Sequence, residues 1–315
     1  MNAMTELRNL RVPLNLPDTT SPKYRQLEVE YDPETRSVWT YMKPSGTACF
    51  SLGVLNDLRN NDKDFEKNQG KAIHDGELFS VDYSVLASRT EHIFNYGGDL
   101  ALFILLIKSR DREALLHYAK LCVDCLYARI SNYSTSALTI SLVQGDALGG
   151  GFECALTSNI IVAEESARMG FPEILFNLFP GMGAYSLLTR RLGAKKAEEI
   201  ILGGKIYEAR ELYEMGIIDI LVPKGEGENA VYKFIRQNGK RLNGMRAMYQ
   251  CRRHTHPISY EELMNITEVW VDAALRLQDR DLKMMGRLVR SQLRQQELRK
   301  KGLPIEDDSA WAAEA

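Results

Sequence analysis

The chain has 315 residues, 44% hydrophobic and 26% charged, with a formal net charge of -2, the balance of a globular protein able to bury a sizeable core. So small a net charge offers no global field to nucleic acid or an anionic membrane surface, and neither is expected as a partner. No apolar run approaches the ~20 residues of a membrane span, and MNAMTELRNLRVPLNL lacks the apolar core and cleavage site of a signal peptide, so a cytoplasmic protein is expected.

Residues 1–21 carry Pro13 and Pro17 without a sustained period and read as an irregular arm. YRQLEVEYDPETRSVWTYMK (24–43) places two β-type runs around the turn signal DPET, which predicts a hairpin. SLGVLNDLRNNDKDFEK (51–67) has a helical pattern. DYSVLAS (82–88) is a short strand-type run, and HIFNYGGD after it reads as a loop. Two helical stretches follow, LALFILLIKS and REALLHYAKLCVDCLYARI. SALTISLVQG (136–145) reads as a buried strand, GGGFECALTS as the start of a short helix, and NIIVAEE (159–165) as another strand. Strands alternate with helices as far as DILVP, near residue 222, which argues an α/β fold. Beyond Gly225 the pattern is wholly helical: NAVYKFIRQNGKRL, YEELMNITEVWVDAALRL and LKMMGRLVRSQLRQQELRKKG. The expected division is an arm over 1–21, a core over 22–225 and a helical region over 226–315.

Five cysteines, Cys49, Cys122, Cys125, Cys154 and Cys251, are scattered and odd in number, as reduced thiols are. Cys122 and Cys125 form a CxxC inside a helical run with no second pair, so buried apolar packing is expected rather than zinc. No metal or cofactor is expected. His254 and His256 stand beside Arg252 and Arg253 before Pro257, and a solvated basic loop is the simplest reading. In the last helix, Leu282, Met285, Leu288, Val289 and Leu293 recur at spacings that make one apolar face, expected to pack on a neighbouring subunit.

Two glycine-bearing turns stand out. Asn95-Tyr96-Gly97-Gly98-Asp99 precedes a helix, and Gly149-Gly150-Gly151 lies between a strand and the helix carrying Glu153. Glycine lets the backbone approach a ligand closely, and helix N-termini offer free N–H groups. One N–H from each turn would suit a thioester oxygen, an oxyanion hole; tight helix–strand packing is the plainer use of such glycines. A nucleotide-phosphate loop is argued against, because neither GxxxxGK[ST] nor GxGxxG occurs in these turns. Glu153, early in its helix, can cap free amides or move protons. Glu173, in Gly170-Phe171-Pro172-Glu173, can be a solvated loop carboxylate or its partner. Phe152, Phe171, Ile174, Leu175 and Phe176 around them are apolar enough to push two carboxyl pKa values apart.

ALGGGFE (147–153), FPE (171–173) and GMG (181–183) resemble the crotonase superfamily, the enoyl-CoA hydratase fold, over about residues 25–290. FNYGGDLALF (94–103), VQGDALGGGFE (143–153), EILFNLFPGMGAYS (173–186) and ITEVWVD (266–272) look like a bacterial diffusible-signal-factor synthase. The resemblance implies a spiral of ββα units with a C-terminal helical oligomerisation region, forming a homotrimer or a dimer of trimers. It implies Glu153 and Glu173 as catalytic residues, Gly98 and Gly150 as the oxyanion-hole amides, and Leu148, Gly149, Met182 and Trp270 as substrate-binding positions. It implies dehydration of a 3-hydroxyacyl thioester on acyl carrier protein (or CoA), then hydrolysis to a cis-2-unsaturated fatty acid, a quorum-sensing signal. The receiver domain of a sensor kinase would be a regulatory partner. An enoyl-CoA hydratase of fatty-acid degradation is the alternative on the same fold.

Overall fold

The computed structural model of the chain describes residues 24–74 and 76–301, so the arm expected over 1–21 lies outside the described residues. The first hairpin forms as expected, β1 (Leu27–Asp32) pairing antiparallel with β2 (Ser37–Met42). Helix α1 (Leu52–Lys67) comes next, its Ser51 side chain accepting from the Val54 N–H. A second hairpin, β3 (Lys71–His74) with β4 (Glu77–Ser80), leads into β5 (Tyr83–Ser88) and the short β6 (Ile93–Asn95). Helices α2 (Leu100–Lys108) and α3 (Arg112–Ile130) are capped by Asp99 and Asp111. Then come β7 (Leu138–Val143), β8 (Asp146–Leu148), α4 (Gly150–Leu156), β9 (Ile160–Glu164) and β10 (Arg168–Gly170). Helices α5 (Ala184–Leu192) and α6 (Ala194–Gly203), strand β11 (Ile206–Glu208), α7 (Ala209–Glu214) and β12 (Ile220–Val222) close the alternating part. Four α-helices follow within the described residues: α8 (Gly227–Asn238), α9 (Leu242–Thr255), α10 (Tyr260–Ala274) and α11 (Asp279–Lys300).

The strands sort into two principal sheets. One has six strands in the order β1-β2-β5-β7-β9-β12, parallel except for the β1–β2 hairpin; the other has four, β11-β10-β8-β6. Three consecutive units, β5-β6-α2, β7-β8-α4 and β9-β10-α5, each give a strand of five or six residues to the first sheet, a three-residue strand to the second, then a helix, which is the expected spiral of ββα units. Strands β7 and β9 are buried throughout because both faces of the large sheet are covered, the usual state of parallel strands. One face packs into the main core, through Leu86, Val143, Ile161 and Ala163. The other carries Trp39, Tyr83, Val85, Ile140 and Val162 against Val231 and Ile235 of α8.

Three local expectations are corrected. The HIFNYGGD segment is a strand in its first half, because Ile93 and Asn95 pair with Asp146 and Ala147 of β8. Residues 252–255, read as a basic loop, form the last turn of α9. That helix is held by Leu242, Met245 and Tyr249, spaced for one face, which pack on the large-sheet core. The apolar face of α11 folds back on its own chain instead of awaiting a neighbour. Leu282, Met285 and Leu288 join the main core, Val289 is half-buried and Leu293 is 45% exposed. Farther along, the Gln296 carboxamide accepts from the Ala48 N–H at 3.2 Å and donates to the Gly46 carbonyl at 2.9 Å, pinning α11 across the loop before α1.

Candidate active site

The small sheet positions the site. Strands β6, β8 and β10 run parallel and side by side, so the segments leaving their C-terminal ends meet at one edge. Those segments are Tyr96-Gly97-Gly98, Gly149-Gly150 and Phe171-Pro172-Glu173. Ligands of parallel α/β sheets bind beyond such strand ends, where loops converge. Glu153 joins them from the first turn of α4.

The two glycine turns touch. Gly97 has φ +89, and a Cβ there would lie 2.6 Å from the Leu148 carbonyl oxygen and 2.8 Å from the Gly150 nitrogen. No side chain fits between turns so close. A Cβ on Gly150 would stand 3.5 Å from the Gly98 nitrogen, so the two backbones flank one small space. The Asn95 carboxamide oxygen takes the Gly97 N–H at 2.7 Å, and the Tyr118 hydroxyl takes the Asp99 N–H at 3.0 Å. Between them lies the Gly98 N–H, which no described group accepts. Gly150 opens α4, where amides lack intrahelical partners. Tyr118 also donates to the Phe50 carbonyl at 2.5 Å, while the Phe50 N–H donates to the Gly97 carbonyl at 2.7 Å, so one buried hydroxyl ties both sides of the first turn together. Tyr118→Phe keeps the ring and removes that tie. It is expected to lower kcat about tenfold, the worth of one buried hydrogen bond, with KM little changed and the melting temperature within a few degrees; steady-state kinetics with a thermal melt checks it.

The glutamates differ in their surroundings. Glu153 is buried, and its Oε1 accepts from the backbone N–H groups of Met182 at 3.0 Å and Ala184 at 2.9 Å. It therefore binds the amides opening α5 rather than capping its own helix. Burial pushes its pKa up to about 7, with those N–H bonds pulling the other way. Glu173 is partly exposed as a residue, yet its Oε2 is sealed and without a hydrogen-bond partner. Burial, and then the nearby Glu153 charge, raise its pKa to about 8. Both carboxyls are therefore driven toward the protonated form, Glu173 with the added push of the Glu153 charge. Gly149 is fitted to this arrangement: it has φ +51, and a Cβ would lie 2.3 Å from Glu173 Oε1. Gly149→Ala is expected to displace that carboxyl and to cost about 10²-fold in turnover, the scale of a 1 Å misplacement, with the far-ultraviolet circular dichroism unchanged.

One cavity, with an empty volume of about 970 Å³ including its mouth, takes in Gly98, Gly149, Gly150, Glu153, Glu173, Met182 and Trp270. Seven of the eight positions singled out from the sequence are thus brought together. Leu148 is not: Ala147 faces the main core, and strand alternation turns Leu148 to the opposite side, among Ala48, Ile93, Tyr96 and Ile206. Trp270 is 2% exposed, sits edge-on to Phe103 at 5.1 Å and leaves no room for a Cβ on Gly181, which would approach it to 2.3 Å. It is a core residue as well as a cavity wall. Cys122 and Cys125 are buried free thiols in the same wall. The sequence reading misses Tyr118, whose aromatic ring in an apolar helix carries no sign of its hydroxyl's partners. It also misses Leu288 and Gln292 of α11, which line the cavity once that helix folds back.

A spiral of ββα units with glycine turns and two carboxyls at the ends of the short strands is the crotonase fold. Residues 74–257 match the model of the enoyl-CoA hydratase/isomerase family. The chain belongs to that family. Among solved structures it is similar to Pseudomonas aeruginosa DspI, at 21% identity over 78% of this chain and 93% of that one, with a TM-score of 0.63. Human mitochondrial delta3-delta2-enoyl-CoA isomerase matches at 16% identity over 84% and 97%, with a TM-score of 0.68. The enoyl-CoA hydratase of Bacillus halodurans matches at 17% over 83% and 99%, also at 0.68. Among the described residues no helix is long and apolar enough to cross a membrane.

Proposed function

We propose that the chain dehydrates a 3-hydroxyacyl thioester carried on acyl carrier protein and then hydrolyses the thioester, releasing a cis-2-unsaturated fatty acid that serves as a quorum-sensing signal. The observation that carries the acid–base part is the pair of carboxyls, Glu153 and Glu173, poised near neutrality in one largely apolar cavity beside the Gly98 and Gly150 amides. Glu173 takes the C2 proton, the electron pair forms the C2–C3 double bond, and the C3 hydroxyl leaves as water with a proton from Glu153. The amides hold the charge that grows on the thioester oxygen, worth about 3 kcal/mol per donor. This starts with the proton on Glu153 and with Glu173 ionised. Burial pushes both carboxyls up toward neutrality, to about 7 and about 8, so little free energy separates the two placements of one proton. That is small beside the gain from general acid–base catalysis. In hydrolysis a carboxylate takes a proton from water as its oxygen attacks the same carbonyl, and the thiol leaves protonated.

The second reading, an enoyl-CoA hydratase of fatty-acid degradation, is favoured by the family match itself. Mass spectrometry separates the two. Purified protein given 3-hydroxyacyl carrier protein is expected to yield free 2-unsaturated acid. Hydrated CoA esters retained as thioesters, with no free acid, would establish the second reading instead. We further propose a homotrimer or dimer of trimers, and a sensor-kinase receiver domain as regulatory partner. Both rest on the motif resemblance, and sedimentation and a pull-down from the native host test them.

A further inference from the structure

The cavity does not end at the two glutamates. Helix α3 runs along it: Tyr118 stands at the Gly98 turn, Cys122 lies near Glu153, and Cys125, Leu126 and Arg129 continue the wall. From Tyr118 to Arg129 the helix rises about 16 Å at 1.5 Å per residue, the reach of an extended acyl tail. Helix α1 lines the same stretch with Leu55, Leu58 and Asp62, one buried stripe. A leucine at the last of those positions would complete an apolar floor. The chain has an aspartate there instead, 4% exposed, with no hydrogen bond or ion pair from any described residue.

Asp62 is not explained as the partner of buried Arg129. The guanidinium donates to the hydroxyls of Thr157, Tyr133, Ser141 and Ser158 and to the Ile140 carbonyl, at 2.6–3.5 Å. Each of its three nitrogens donates to a neutral acceptor, and it acts on Asp62 only at longer range. Burial raises the Asp62 pKa to about 8, so at neutral pH it is an uncharged acid, able to donate one hydrogen bond and accept others. A buried acid that lines the cavity without a protein partner is left to bond whatever group enters beside it.

We propose that Asp62 makes the far end of this cavity a binding site for a hydrogen-bonding group, and that the chain prefers acyl thioesters whose tail ends in a hydroxyl. The inference rests on the reading of Glu153 and Glu173 as acting on an acyl thioester at the near end. A hydroxyl matches a neutral acid that can donate and accept. A carboxylate matches less well: it would stand against the Asp62 carboxyl, and each Arg129 nitrogen already donates to a neutral acceptor.

The test is binding rather than turnover, so that it stands apart from the proposed reaction. Saturated acyl pantetheine thioesters of increasing length, each with a methyl, hydroxyl or carboxylate end, are titrated calorimetrically against the full chain. At the best-fitting length the hydroxyl end is expected to bind about tenfold or more tighter than the methyl end. Asp62→Leu is expected to reverse that order, and Asp62→Asn, which can still donate and accept, to keep most of it. Methyl ends bound as tightly as hydroxyl ends, carboxylate ends bound most tightly, or a preference unchanged in folded Asp62→Leu would each overturn the proposal. Should Asp62→Leu not fold, the wild-type order and Asp62→Asn still decide it. Binding preference without any dehydration would leave this site standing and remove the proposed reaction; dehydration without preference would do the reverse.

Discussion

Glutamine in place of Glu153 or Glu173 is expected to lower dehydration of a 3-hydroxyacyl carrier thioester by about 10²–10⁴-fold, with the fold retained. The two substitutions fail for different reasons. A glutamine at 153 still offers an oxygen to the Met182 and Ala184 N–H groups, so the start of α5 stays in place and only the proton is lost. At 173 the Oε2 has no partner to lose, and the amide simply cannot take the C2 proton. Single-turnover assays on each variant, with circular dichroism and sedimentation as controls, provide the measurement. A folded Glu173→Gln protein that dehydrates near the wild-type rate would remove the two-carboxylate mechanism. Loss of dehydration with survival of hydrolysis of a supplied 2-enoyl thioester would separate the two reactions without touching the first.

Element length decides how much of the fold and site is legible in the sequence. The β1–β2 hairpin, helices α1 to α3 and strands β5, β7 and β9 each span enough residues to show a period or a sustained apolar run. Strands β6, β8 and β10 have three residues each, too few for any period, yet they bring the site together. Their positions are visible only through the residues after them, the glycines and Pro172-Glu173. The glutamates can be picked out by chemistry and spacing, but the choice between capping and proton transfer at Glu153 depends on Met182 and Ala184, distant in sequence. The α11 stripe is recognisable but assigned to the wrong surface, because an apolar face does not say whether its own chain or another covers it. Asp62 and Arg129 escape notice for a related reason: a charge inside a helical run looks solvated until neighbouring elements bury it.

The same carboxyls should make stability depend on pH in an unusual direction. An ordinary glutamate loses its proton near 4.5, whereas Glu153 and Glu173 in the folded protein hold theirs to about 7 and about 8. Between those limits the folded state binds more protons than the unfolded one, so stability falls as pH rises, and the loss is complete above about 8. Asp62, with its pKa raised to about 8, adds to the same window. Glutamine at 173 has no proton to lose. Glu173→Gln is therefore expected to match or trail the wild type near pH 5 and to exceed it at pH 8.5 by a few kcal/mol, since every tenfold difference in proton affinity between the folded and unfolded states is worth about 1.4 kcal/mol. Urea unfolding from pH 5 to 9 measures this, with the midpoint of the variant changing less with pH. Activity reports the pair from the other side. Dehydration needs one proton on the two carboxyls together, so the rate should be bell-shaped, falling below about 7 as both become protonated and above about 8 as both ionise, with apparent values that belong to the pair. A Glu173→Gln protein whose stability declines with pH as steeply as the wild type would mean that this carboxyl is already ionised and solvated in the folded state. Its description as a carboxyl held protonated by burial would then be wrong.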